Sequence, residues 1–306
     1  MDKEHIIKNI QQLIYYNGAD NNLAKTELFT GVDLYYLNFG SNPVYLRHEK
    51  IDSIIQINYC KAGQLRWNMK SGSRIYLNYG DYSLHSMQAC IQSLMEFPQG
   101  FYKGLTICID LAKLKTNPLK LFGDIFDVNR LCQKFCESNK ITSLAGNNKT
   151  ETIFEGFYNL PDENTLDYAR LKFYELLILL QNTKLSPQAL LPEYTAGNEA
   201  VIRKIHSLLQ QNISKRATIK ELALRHHLNT TTLKAAFKNI YGVSIGAYAK
   251  EQRLRYAAKL LDETNLSISE IAKNCGYKSQ SKFTSAFKAL FKFLPSEYRK
   301  RKNSGR

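Results

Sequence analysis

Residues 219–291 carry one pattern twice, and no other stretch of this 306-residue chain limits the choice of fold so tightly. Ile219-Lys220-Glu221-Leu222-Ala223 returns as Ile268-Ser269-Glu270-Ile271-Ala272, an offset of 49. Leu233, Ala236, Phe237, Lys238 and Tyr241 then return as Phe283, Ala286, Phe287, Lys288 and Phe291, an offset of 50. A self-similar stretch is one supersecondary unit used twice. The change of offset places a one-residue insertion in the turn of the second copy.

Each copy opens on Ser or Thr followed three residues later by Glu, Thr218 with Glu221 and Ser267 with Glu270, the pattern of a capping box. A short helix follows, carrying a small Ala (Ala223, Ala272) where two helices must approach closely. A second cap then opens a longer helix, Asn229 before Thr230 to Tyr241 and Ser279 before Gln280 to Lys292. Two short helices joined by a tight turn, the second amphipathic, describe a helix-turn-helix. The two units are expected at about 218–241 and 267–292, joined by a rigid helix over Ile245 to Thr264 with Leu254, Ala257, Ala258, Leu260 and Leu261 on its inner side.

Charge separates the chain at the same place. Residues 1–196 hold 20 Lys/Arg and 20 Asp/Glu, whereas residues 197–306 hold 22 against 7 and so carry the whole formal charge of +15. Clustered cations on one part of a chain point to a polyanion, because nucleic-acid phosphates reward them by counterion release. Pro187, Pro192 and Gly197 mark a linker over 183–197. The expected domains are therefore 1–182 and 198–303.

Between Val32 and Ile109 short runs rich in Tyr, Ile and Leu are cut by Gly, Asn, Asp and Pro, which favours strands and tight turns. Ser53 to Tyr59 and Gln64 to Met69 read as a hairpin around Gly63, followed by strands Arg74 to Leu77 and Tyr82 to Ser86. Strands at this spacing predict a small β-barrel or jelly roll over about 30–110, able to enclose a ligand, with helices over about 119–182. The whole is α+β with two domains. Glu163 to Gln181 carries more apolar residues than one buried stripe needs, and outward positions such as Leu179 suggest a homodimer contact.

The stretch from Ile219 to Lys300 closely resembles the DNA-binding domain of the AraC/XylS family of bacterial regulators. The resemblance rests on Arg253-Leu254, Ala257 and Leu260-Leu261 in the connector, and on Ile268 to Ala272, Gly276-Tyr277, Phe283, Phe287-Lys288, Phe291 and Pro295-Ser296-Glu297-Tyr298-Arg299. Lys292 departs from it, standing where the family has Gly and where the first copy keeps Gly242. A Lys resists the left-handed conformation, so the second long helix is expected to end differently. The hairpins and the Leu77-x-x-Gly80-Asp81 turn resemble the cupin-like sensor domain that many members carry.

The resemblance implies a ligand-responsive transcription activator, with a repressor as the alternative, that sets its two longer helices in successive major grooves. Its implied partners are double-stranded DNA, RNA polymerase and a small-molecule effector that the sequence does not identify. Base-reading positions are Thr231, Lys234 and Ala235 in the first copy and Gln280, Ser281, Thr284 and Ser285 in the second; Lys238, Arg253, Lys278, Lys282, Lys288 and Arg299 fall to phosphates. Other readings are a cupin-type metalloenzyme, or a DNA-repair methyl acceptor fused to a DNA-binding domain. The first needs a close His pair, whereas His48 and His85 stand apart; the second needs a cysteine cluster, and Cys60, Cys90, Cys108, Cys132, Cys136 and Cys275 are scattered. No enzyme activity, metal or cofactor is expected. With no apolar run long enough to span a bilayer, the sequence reads as a soluble, cytoplasmic protein.

Overall fold

The computed structural model describes residues 22–40, 44–46, 53–90, 92–121, 124–136, 141–187, 189–211 and 218–303. They form two compact units, 1–196 and 197–306.

The first unit is built on β1 (Asn22–Phe29), β2 (Val32–Phe39), β3 (Val44–Leu46), β4 (Ile54–Gly63), β5 (Leu65–Asn68), β6 (Arg74–Leu77), β7 (Tyr82–Ser86), β8 (Ser93–Glu96) and β9 (Tyr102–Asp110). After β9 come α1 (Leu111–Thr116), the two-residue strands β10 (Lys120–Leu121) and β11 (Asp124–Ile125), α2 (Asn129–Phe135), β12 (Thr142–Leu144), α3 (Asn148–Gly156) and α4 (Thr165–Asn182). One sheet has the strand order β1-β2-β9-β4-β7-β12, and a second has β3-β8-β5-β6. Among the described residues every strand pairing is antiparallel.

Alternation along each strand sorts the side chains into two cores. On one face of the larger sheet Leu34, Ile55, Ile57, Leu84, Leu105 and Ile107 pack against Leu131, Phe154, Phe173, Leu176 and Leu177 of the helices. On its other face Tyr35, Phe39, Cys60, Tyr102 and Cys108 meet Leu65, Trp67, Ile75, Leu77 and Met95 of the smaller sheet. The result is three layers: small sheet, large sheet, helices.

This is a jelly-roll sandwich of two sheets, with no continuous closed barrel among the described residues. Strand β1 extends the sheet earlier than the expected start near residue 30. The expected hairpin between Ser53–Tyr59 and Gln64–Met69 does not form, because β4 lies in the large sheet and β5 in the small one. The switch follows a bulge between Cys60 and Ala62 and Gly63 at φ 76°. A Cβ on Gly63 would lie 2.2 Å from the Phe101 carbonyl oxygen, so only glycine fits this corner. The region expected to be helical also contributes β12, which extends the large sheet by pairing with β7.

Among its described residues the second unit is helical, without strands: α5 (Ala196–Gln211), α6 (Ile219–Arg225), α7 (Thr230–Tyr241), α8 (Ile245–Glu263), α9 (Ile268–Asn274), α10 (Gln280–Phe291) and α11 (Pro295–Asn303). Leu254, Ala257, Ala258 and Leu261 of α8 pack on Ile271 and Ala272 of α9, Cys275 just after it, and Phe283 and Phe287 of α10. The 19 residues of α8 span about 28 Å at the rise of an α-helix. Among the described residues no helix is long and apolar enough to cross a membrane.

Candidate nucleic-acid interface

The two copies are held by the same local chemistry. Thr218 and Ser267 each accept a hydrogen bond from the N–H three residues on and return one to Glu221 and Glu270 at 2.8 Å. These backbone bonds hold both exposed carboxyls below the usual carboxylate range. In the turns, Leu228 N–H donates to Ala223 C=O and Tyr277 N–H to Ala272 C=O, each at 2.9 Å. The longer helices are capped by Asn229, whose side chain accepts from Thr232 N–H at 2.6 Å, and by Ser279, which accepts from Lys282 N–H at 3.4 Å.

Both longer helices bury one stripe and expose the other. Leu233, Ala236, Phe237 and Ile240 face inward on α7, as do Phe283 and Phe287 on α10. Thr231, Lys234, Ala235 and Lys238 are exposed on α7; Gln280, Ser281, Lys282, Ser285 and Lys288 are exposed on α10, with Lys278 just before it. Thr284 is half-buried, and so is Arg253 on α8. Arg299, assigned to phosphate from the sequence, donates from Nη2 to the Leu266 carbonyl at 2.7 Å and so ties α11 to the segment before α9. His48 and its neighbour Glu49 lie outside the described residues. His85 is fully buried, with Nε2 3.1 Å from Gln56 Oε1 and its ring edge-on to Trp67.

A feature that the repeat alone did not reveal is α5, which supplies the first copy with an aromatic wall. His206 stacks on Tyr241 at 4.1 Å between centroids and 9° between planes, and also contacts Phe237 and Tyr248. Burial, then the charge of Arg203, pushes its pKa below the ordinary value of 6.5. The signal was present in the spacing of Ile202, Ile205 and Leu209, but the capped repeat downstream dominated the pattern.

Lys292 overturns one expectation. It adopts φ 67° and ψ 3°, as Gly242 adopts φ 73° and ψ −9°, so both longer helices end alike. Its N–H bonds Lys288 C=O at 2.9 Å and its Nζ bonds Ala289 C=O at 3.1 Å, which satisfies two helix-end carbonyls. The turns show the reverse substitution: His227 (φ 54°) stands in the first copy where Gly276 (φ 74°) stands in the second. Each copy thus places one glycine and one strained residue at its two left-handed positions. His227→Gly and Lys292→Gly are each expected to stabilise the helical unit by about 0.5–1 kcal/mol, the left-handed penalty less the backbone entropy of glycine. Urea denaturation of residues 197–306 checks this; destabilisation by both substitutions contradicts it.

A family profile described as a helix-turn-helix domain matches residues 222–301. The HTH-type transcriptional activator RhaR of Mannheimia succiniciproducens is 27% identical over 140 residues, 46% of this chain and 49% of RhaR. The HTH-type transcriptional activator AarP of Providencia stuartii is 30% identical over 107 residues, 35% of this chain and 79% of AarP. The chain belongs to the AraC/XylS family. An AraC-type regulator structure from Chromobacterium violaceum is 29% identical, covering 35% of this chain and 96% of that one at a TM-score of 0.33. This AraC/XylS member spans about half the length of RhaR, and likewise 49% of the HTH-type regulator ExsA of Pseudomonas aeruginosa.

Proposed function

We propose that this protein is a sequence-specific, double-stranded DNA-binding transcription activator that reads two successive major grooves with α7 and α10. One observation carries the reading: two capped helices, each exposing a polar first-turn face, sit in the unit that holds all of the chain's excess positive charge. Thr231, Lys234, Ala235, Gln280, Ser281 and Ser285 read base edges, with Thr284 at the margin of that face. Lys238, Arg253, Lys278, Lys282, Lys288 and Arg299, the last also tied to the Leu266 carbonyl, engage phosphates and set affinity rather than sequence. RNA polymerase is the partner that activation requires. The protein acts as a regulator in the cytoplasm and not as an enzyme. Residues 197–306 alone are expected to bind duplex DNA in a gel shift and residues 1–196 are not; the reverse result overturns the reading.

The first unit senses a small molecule in the space between its sheets. That interior is polar for a core, with Gln56, Asn58, Ser83, His85 and Thr106 buried there. Thr106 Oγ1 donates to Asn58 Oδ1 at 2.7 Å, and Tyr35 Oη is buried with no hydrogen-bond partner among the described residues. An unsatisfied buried hydroxyl is costly, and a polar ligand would satisfy it.

A homodimer forms through the outer face of α4. Leu179, an outward position by the sequence reading, packs against the core; the exposed large apolar residues of the helix are Leu166, Tyr168, Leu171 (64% exposed) and Ile178 (42%), of which Leu171 and Ile178 form the proposed contact. They stand seven residues apart on one stripe with Tyr168, the spacing of a helix seam. Leu171→Glu with Ile178→Glu is expected to give a folded monomer in sedimentation, and a folded dimer contradicts the placement.

A further inference from the structure

The segment leading from α4 into the helical unit was read from sequence as a linker, yet it is hydrogen-bonded to both sheets. Leu191 N–H donates to Ser143 C=O at 2.8 Å and Ala145 N–H to Ala189 C=O at 2.9 Å, which pairs the segment with β12, the last strand of the large sheet. Three residues later Tyr194 N–H donates to Arg74 C=O and Arg74 N–H to Tyr194 C=O, both at 2.8 Å, which pairs it with β6, the last strand of the small sheet. Pro192, which has no N–H to offer, lies at the crossing between them. Side chains follow the backbone: Ala189 packs on the helix-side core, Leu191 on the core between the sheets, and buried Tyr194 sets its ring edge-on to Tyr76 at 5.8 Å.

The position of these bonds in the chain gives them a consequence. Helix α5 begins at Ala196, so Thr195 alone separates it from the last strapped residue. We propose that residues 189–194 are a strap whose docking across the edges of both sheets sets the tether of the DNA-binding unit. Docked, the tether is one residue and spans no more than about 7 Å between Tyr194 and Ala196. Released, it runs from Thr183 to Thr195, with a reach of up to about 45 Å and a root-mean-square length of roughly 20 Å. The strap needs both sheets at one spacing to make all four bonds. A change in the core between the sheets, against which Leu191 packs, breaks one pairing and lengthens the tether. The regulatory meaning rests on the DNA-binding reading above; the strap itself is tested without DNA.

Two readouts on the full chain decide it. Amide hydrogen exchange reports docking: Arg74, Ala145, Leu191 and Tyr194 are expected to be protected in the parent chain. In Tyr194→Pro, which removes the donor to Arg74, protection of the Arg74 amide is expected to fall roughly two- to tenfold, the equilibrium effect of one net backbone hydrogen bond. Spin labels at exposed Lys115 and Lys259, in a Cys132→Ser background, report the tether; their distance distribution is expected to widen roughly twofold in Tyr194→Pro. Tyr194→Ala removes only the ring contact and serves if the proline variant fails to fold, and Glu193→Ala at an exposed position of the segment should change neither readout. Unprotected amides in the parent chain, or an unchanged distribution once protection is lost, overturn the proposal. Failure of residues 197–306 to bind DNA would leave both readouts standing and would remove only the regulatory meaning.

Discussion

Phe287→Ala is expected to destabilise the helical unit by about 3–5 kcal/mol, the cost of deleting a fully buried aromatic that its surroundings cannot replace. Phe287 has no exposed surface and stands at the centre of the second copy, with ring centroids at 5.6 Å from Phe283, 4.5 Å from Phe291 and 5.4 Å from Tyr298. Three elements meet there: α10 itself, α11 through Tyr298, and α8 through Leu254 and Leu261. Its removal opens a cavity under the helix assigned to base reading, so lost stability and lost DNA affinity should appear together. The equivalent Phe237 is backed by Tyr241, Tyr248 and His206. Phe237→Ala should cost a similar amount in the first copy. For a unit of this size the loss corresponds to a melting temperature lower by on the order of 15–25 °C, read by calorimetry on residues 197–306. A change below about 1 kcal/mol in both variants contradicts the packing described.

The helical unit was legible in the sequence because its determinants are local. Capping boxes, helical spacing and a small residue at the close approach all lie within a few positions of one another, and the duplication states each of them twice. The sheets were less legible because their determinants are not local. Two apolar runs flanking Gly63 look like a hairpin whether or not they pair, and only the bulge at Cys60/Ala62 and the Phe101 carbonyl pressed against Gly63 send β5 to the other sheet. Strand β12 has three residues, too few to show a period of two against the helices on either side. The strap carries Pro192 and lies between Pro187 and Gly197, the punctuation of a linker, and its bonds go to strands more than forty residues upstream. Lys292 shows the converse: local propensity argued for a different helix end, and the surrounding packing with two satisfied carbonyls prevailed. Among the site residues, exposure followed the helical period on α7 and α10. Arg299, beyond them, was placed by a carbonyl that no sequence pattern announces.

On α10, base reading and phosphate contact are assigned to two exposed residues two positions apart, which helix geometry sets about 200° apart around the axis. Gln280 carries an amide able to make a bidentate pair with adenine, and Lys282 carries a point charge. Affinity should be measured for Gln280→Ala and Lys282→Ala against a panel of single-base operator variants at several salt concentrations. Gln280→Ala is predicted to lose about 1–3 kcal/mol on the preferred sequence and to flatten the preference at mainly one base pair, with its salt slope unchanged. Lys282→Ala is predicted to weaken every sequence alike and to make the slope of log K against log salt shallower by about one unit. If Gln280→Ala loses affinity uniformly and keeps every base preference, α10 does not present its first turn to the bases and the account of this interface is wrong.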